Sequence, residues 1–134
     1  MSEENVELVR MAYDALNARD AEAVLAGVDP DVEFVSIAAA LEGGVVFRGR
    51  SGIQEYLDGL SAIWSAWGWT ITEARAIDDD RVLAVVDFRA VGKGSNVPVA
   101  AELAVIYVFR RGLVTRIEAH QGRAEALEAA GLSE

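Results

Sequence analysis

A chain of 134 residues with 52% apolar side chains can bury a core without cross-links, and it has no cysteine to make one. Twenty-two acidic against twelve basic residues give a formal net charge of −10, a field that repels nucleic-acid phosphates and anionic lipid. No apolar run approaches the ~20 residues that span a bilayer. The start, MSEENVELVR, lacks the basic flank and apolar centre of a secretory signal, so a cytoplasmic protein with one domain over residues 1–134 is expected.

Val6, Val9, Tyr13 and Leu16 recur at helical spacing with charged residues between them, which predicts a first helix closed by Asn17-Ala18-Arg19. Asp20 is placed to cap a short second helix over Ala21–Ala26. Asp29-Pro30-Asp31 is turn chemistry, followed by a strand from Val32 to Ile37, a small-residue segment from Ala38 to Gly44, and a short strand from Val45 to Phe47. Ser51 lies near the cap of a third helix, whose buried stripe would be Ile53, Tyr56 or Leu57, Leu60, Ile63 or Trp64, and Trp67. Long strands follow over Thr70–Ile77, Arg81–Val91, Val97–Arg110 and Leu113–His120. Asp78-Asp79-Asp80, Gly92 to Asn96, and Arg111-Gly112 supply the turns, and a last helix over Arg123–Ala130 stops at Gly131. Helices first and an antiparallel meander afterwards define an α+β domain, with one strongly curved sheet wrapped around helices in its concave face.

The stretches AYDALNARD, DPDVEF, FRGRSGIQEYL and RAEALEAAGL, in that order and spacing, resemble the SnoaL-like branch of the nuclear transport factor 2-like cone-fold superfamily. That resemblance covers nearly the whole chain. It implies a pocket between helices and concave sheet, frequent dimerisation, and relatives that include ketosteroid isomerases, polyketide cyclases, limonene-epoxide hydrolases and non-catalytic binding proteins. Fold alone therefore does not settle function.

Strand alternation decides which side chains face such a pocket. Matching the hairpin glycine to the isomerases turns Val82, Ala84, Val86, Phe88 and Ala90 inward, with Leu103, Val105, Tyr107 and Phe109 beside them and Thr115, Ile117, Ala119 and Gln121 on the last strand. The convex face then carries Asp87, Arg89, Glu102, Arg110, Arg116, Glu118 and His120, mixed with Leu83, Val85, Ile106 and Val108. Its half-apolar, half-charged character suits a homodimer interface.

The catalytic groups of the enzymatic relatives are unmatched in this chain. Phe34 stands where the isomerase base is expected, Ala12 where its tyrosine is expected, with Tyr13 one residue off, and Val105 where its protonated acid is expected. The epoxide-hydrolase charges would fall near Ala84, Val86 and Ala119, and the cyclase aspartate at Gly122. His120, the only histidine, is the surviving acid–base candidate if its ring turns inward; the ordinary reading puts it outside, and Tyr13 is the second candidate. One histidine and no cysteine argue against zinc, and Asp78-Asp79-Asp80 reads as a solvated turn rather than a calcium site. No cofactor is expected. The predicted ligand pocket is lined by Tyr13, Phe34, Trp64, Phe88, Val105, Tyr107, Ile117 and Gln121 and takes a small apolar, neutral molecule. The alternative is a cyclase, isomerase or hydrolase that moves protons with His120 or the pocket tyrosines.

Overall fold

The computed structural model describes residues 2–36 and 46–132. Among these residues the elements are, in order, α1 (Ser2–Asn17), α2 (Ala21–Ala26), β1 (Val28–Val35), β2 (Phe47–Arg48), α3 (Gly49–Ile63), β3 (Trp64–Ala76), β4 (Arg81–Gly92), β5 (Pro98–Arg110), β6 (Leu113–His120) and α4 (Arg123–Ala129). The strands form one curved, unclosed sheet in the order β2-β1-β6-β5-β4-β3. Only the β1–β6 contact is parallel; the other pairings are antiparallel. This is the expected α+β architecture. Ile37 and the stretch from Ala38 to Val45, where a strand end, a small-residue segment and a strand start are expected, lie outside the described residues.

Local chemistry explains the element boundaries. Helix α1 ends where Arg19 takes a left-handed φ of 61°, and Asp20 then accepts a hydrogen bond from the Ala23 amide at 3.2 Å, capping α2 as its residue type predicts. Asp29-Pro30-Asp31 lies within β1 rather than before it: the Asp31 amide donates to Asp29 Oδ1 at 2.8 Å, and the register with β6 shifts between Val28 and Glu33. The turn chemistry is therefore present as an irregularity inside a strand. Asp78 organises the β3–β4 turn, with Oδ1 accepting from the amides of Asp80 and Arg81 and Oδ2 accepting from Arg81 Nε at 2.9 Å. The Arg81 guanidinium and these amides hold the Asp78 carboxyl below its ordinary range.

Helix α3 stops at Ile63, and β3 starts at Trp64, six residues ahead of the expected Thr70. The expected helical stripe therefore breaks: Ile53 and Leu60 are buried, Ile63 is 58% exposed, and Trp64 and Trp67 belong to a strand. A run rich in tryptophan and small residues fits either period, and pairing with β4 from Gly92 back to Val82 decides for the sheet.

Two apolar layers flank the sheet. On the concave side Val9, Tyr13 and Ile53 from the helices pack against Val82, Ala84, Val86, Tyr107 and Phe109. On the convex side Leu83, Val85, Ala104 and Ile106 lie beneath Ala126 and Leu127 of α4. Three apolar residues expected to face a second copy are thus covered by the chain's own last helix. That helix is tied down by Arg123, whose Nε lies 2.8 Å from Glu73 Oε1, and the guanidinium lowers the Glu73 pKa.

β3 is a sheet edge, and side chains from the end of α1 pair its backbone. Asn17 donates from Nδ2 to the Trp69 carbonyl and accepts from the Trp69 amide, both at 2.9 Å. Arg19 donates to the Trp67 carbonyl and stacks 3.9 Å from the centre of the Trp67 ring. Gly68 permits the approach, since a Cβ there would lie 3.3 Å from Asn17 Oδ1. The Asn17→Ala substitution removes two hydrogen bonds worth about 1 kcal/mol each. Urea unfolding should show a loss of about 1–2 kcal/mol; unchanged stability would mean that water replaces the asparagine without loss.

Candidate functional site: a neutral cavity with three tyrosines

A cavity of about 340 Å³ opens between the helices and the concave sheet face. Helix α1 contributes Tyr13 and Leu16, α3 contributes Ile53, Tyr56 and Leu57, and β1 contributes Phe34. The sheet supplies Trp69 from β3, Val105 and Tyr107 from β5, and Ile117 and Ala119 from β6. Among the described residues, no charged side chain and no histidine lines it.

The three tyrosines of the chain all meet this cavity. Tyr107 donates its hydroxyl proton to the Tyr13 oxygen at 2.6 Å, joining β5 to α1, and the two rings meet edge to face with centroids 6.1 Å apart. Tyr13 also tilts against Trp69 at 6.4 Å. Tyr56 stands across the cavity in a second cluster, edge-on to Phe34 at 4.7 Å and to Phe47 at 5.5 Å. Burial pushes the Tyr56 hydroxyl up to about 12, and burial raises Tyr13 and Tyr107 further above the ordinary phenol value. All three remain neutral at physiological pH. They can donate and accept hydrogen bonds, but they cannot serve as phenolate bases.

Of the eight residues expected to line the pocket, the structure brings together Tyr13, Phe34, Val105, Tyr107 and Ile117. Trp64, Phe88 and Gln121 lie elsewhere. Trp64 heads β3 and packs on Phe88 at 5.9 Å, and Phe88, the register partner of Trp69, packs on it at 5.4 Å, so the two stand beside Trp69, which lines the space. Gln121 follows the end of β6 and is exposed, because the chain leaves the sheet at His120. Tyr56 and Trp69 are lining residues absent from the predicted set. Helical spacing after Ile53 carried the signal for Tyr56; the early start of β3 concealed Trp69.

The two catalytic candidates separate. Tyr13 is in the cavity. His120 is on the convex side, opposite Ala104 on β5, while its neighbour Ala119 faces in. His120 Nε2 is buried without a hydrogen-bond partner and lies 3.6 Å from Glu118 Oε1, beyond hydrogen-bond reach. Glu118 is engaged by Arg116 Nε at 2.6 Å, and Arg116 also reaches Glu33, which pairs with Arg48. The positions matched to the enzymatic relatives carry no replacement acid. Ala12, Phe34, Val105 and Ala119 line the cavity, whereas Ala84 and Val86 are fully buried. Among the described residues no cluster of three or more histidine or acidic side chains could hold a metal ion.

The SnoaL-like domain family model matches residues 9–117, and the chain belongs to that family. Its fold is that of the nuclear transport factor 2-like proteins. One of unknown function from Burkholderia pseudomallei shares 21% identity over 96% of this chain and 97% of its own, with a TM-score of 0.78. TerC, co-crystallised with polyporic acid, shares 23% identity over 96% of this chain and 97% of its own at a TM-score of 0.77. RV0760c from Mycobacterium tuberculosis, in complex with estradiol-17beta-hemisuccinate, shares 16% identity over 91% and 95% of the two chains, also at 0.77. No curated protein matches the sequence. No helix among the described residues is long and apolar enough to cross a membrane.

Raised phenol pKa values give the site a spectroscopic signature. The folded protein should develop no tyrosinate absorbance near 295 nm at pH 10–10.5, although an unfolded chain ionises around pH 10. The stabilising effect of keeping the phenols protonated is complete below pH 10 and is lost as pH rises towards the folded values. A normal titration curve in the folded state would place at least one tyrosine in solvent.

Proposed function

We propose that this chain is a cytoplasmic binding protein for a small, neutral, mainly apolar molecule bearing an oxygen atom, which the tyrosines orient. The observation that carries this reading is a large cavity whose described lining is uncharged and whose phenolic hydroxyls come from Tyr13, Tyr56 and Tyr107. A charged ligand would lose its hydration there without gaining a counter-ion. A carbonyl, ether or phenol oxygen instead meets groups that both donate and accept. Burying ~200 Å² of apolar ligand contributes about 5 kcal/mol before entropic costs. Two proteins of the same fold were crystallised with small molecules, polyporic acid in one and estradiol-17beta-hemisuccinate in the other, which supports a ligand in the cone.

A cyclase, isomerase or hydrolase activity would need a proton acceptor, and none lines the cavity among the described residues. Neutral tyrosines could stabilise a developing oxyanion but not remove the proton that creates it. This favours binding over turnover. Calorimetry with 2-naphthol as a neutral oxygen-bearing probe should show that Tyr13→Phe and Tyr107→Phe each weaken binding about fivefold, the value of one hydrogen bond near 1 kcal/mol. His120→Ala should leave affinity unchanged. Equal affinity in all of these proteins would remove the tyrosines from recognition, and loss of binding in the histidine variant would bring the convex face into the site.

The uncovered convex sheet is our proposal for a homodimer contact. Asp87 and Glu102 lie directly opposite each other in the β4–β5 register, and like charges so placed repel. Arg89, two residues along the same face, is exposed beside Ala100, and a two-fold mate would bring a second Arg89 towards that acidic pair. Analytical ultracentrifugation should give a dimer that Arg89→Glu converts to a monomer; a variant that stays dimeric would move the interface elsewhere.

A further inference from the structure

A second cavity, of about 300 Å³, adjoins the first. Ala15, Leu16, Val24, Leu57 and Trp69 line both, so the partition between them is built from these side chains. Leu16, Val24 and Leu57 are only partly buried, and rotamer changes in such residues are fast and need no backbone movement. The outer cavity differs sharply in chemistry. Its walls carry Arg19 and Asp20 from the α1–α2 corner, Gln54, Asp58 and Ser61 from α3, and Trp67 from β3.

Much of that polar capacity is already directed. Gln54 Nε2 donates to Asp58 Oδ1 at 2.9 Å, and Ser61 Oγ donates to the Asp58 carbonyl at 2.9 Å. The Arg19 guanidinium is fixed against Trp67 by bonds to main-chain carbonyls, including that of Leu16 at 3.0 Å. Each group nevertheless has capacity to spare by its chemistry: a carboxylate offers about four lone-pair sites, an amide four bonds, and a donating hydroxyl still accepts. The wall therefore presents acceptors and donors side by side. A neutral group that both donates and accepts matches this mixture. An anion would meet Asp20 and Asp58, and a cation would meet Arg19.

We propose that the two cavities form one bipartite site whose ligand is elongated, with an apolar, oxygen-bearing body against the tyrosines and a neutral hydroxyl-bearing end at Gln54, Asp58 and Ser61. This inference rests on the reading of the inner cavity given above and adds the shape and far-end chemistry of the molecule it takes.

The test uses the full chain and three kinds of probe: 2-naphthol, 6-alkoxy-2-naphthols with tails of two to six carbons, and the matching 6-(ω-hydroxyalkoxy)-2-naphthols. Within one window of tail length the terminal hydroxyl should be sensitive to the outer wall. Asp58→Ala and Gln54→Ala should each weaken the hydroxyl-tailed probe about fivefold, while 2-naphthol and the plain alkoxy probes keep their affinity. Both substitutions lie on the outer side of α3, so thermal unfolding should stay near wild type. Hydroxyl tails that bind no differently in the variants at any length would overturn the bipartite site while leaving the inner one standing. Failure of 2-naphthol itself to bind would overturn both. Preserved 2-naphthol binding with every tail rejected would show that the partition is closed, and would also overturn the proposal.

Discussion

The hydrogen bond from Tyr107 to Tyr13 connects two parts of the chain 94 residues apart, and much of the molecule is organised around it. A curved sheet that wraps helices leaves a cleft which packing alone closes only where side chains meet. Here two phenol rings meet edge to face and one hydrogen bond serves both buried hydroxyls, Tyr107 donating and Tyr13 accepting, so neither is left without a partner. The same bond sets the chemistry of the space beside it. Because the surroundings are apolar, burial keeps the phenols protonated, and the described lining of the cavity offers hydrogen-bonding groups and no charge. The packing of α1 on the sheet and the chemistry of the cavity thus rest on one feature.

The sheet's two faces are finished in different ways. The concave face is completed by α1 and α3, and the space they leave is the cavity. The convex face is completed over Leu83, Val85, Ala104 and Ile106 by a seven-residue helix held by the Arg123–Glu73 pair. Where α4 ends its cover, the outward side chains change from aliphatic to charged, at Asp87, Arg89 and Glu102. Any assembly would then depend on charge pairing at the uncovered end more than on apolar burial.

Most of the fold was legible because its signals are local and strong. The inward sets from Val82 to Ala90 and from Leu103 to Phe109 follow from matching the hairpin glycine to the isomerases that the chain resembles, since both faces of these strands are largely apolar, whereas Asp20 and Arg111-Gly112 marked a cap and a turn where both are found. Legibility failed where two periods fit one stretch. From Trp64 to Trp67 the spacing of three continues the helical stripe, from Trp67 to Trp69 the spacing of two suits a strand, and only tertiary pairing with β4 shows that the whole run is strand. That ambiguity placed Trp64 in the pocket and left Trp69 out. The Asn17 contact with Trp69 was invisible for another reason: a side chain that completes a sheet edge leaves no periodic trace. Gln121 was misplaced because alternation was carried one residue beyond the end of its strand, and the coverage of Val85 by Leu127 depends on how a terminal helix folds back.

What such a site can do follows from what it lacks as much as from what it holds. An enzyme of this fold needs one group to remove a proton and another to stabilise the charge that forms. The tyrosine pair can supply the second function: a hydroxyl already receiving a hydrogen bond is a stronger donor towards a third oxygen. At the place where the first function would stand, the cavity is lined by Phe34. Introducing a carboxylate at Phe34 would put a buried charge against the ring of Tyr56, 4.7 Å away in the present structure, and burial would raise its pKa towards neutrality. That is the range a general base requires. That substitution is a short step in chemistry, a single acid against an existing donor pair, and a long one in stability, because the aromatic cluster of Phe34, Phe47 and Tyr56 would have to open to admit it.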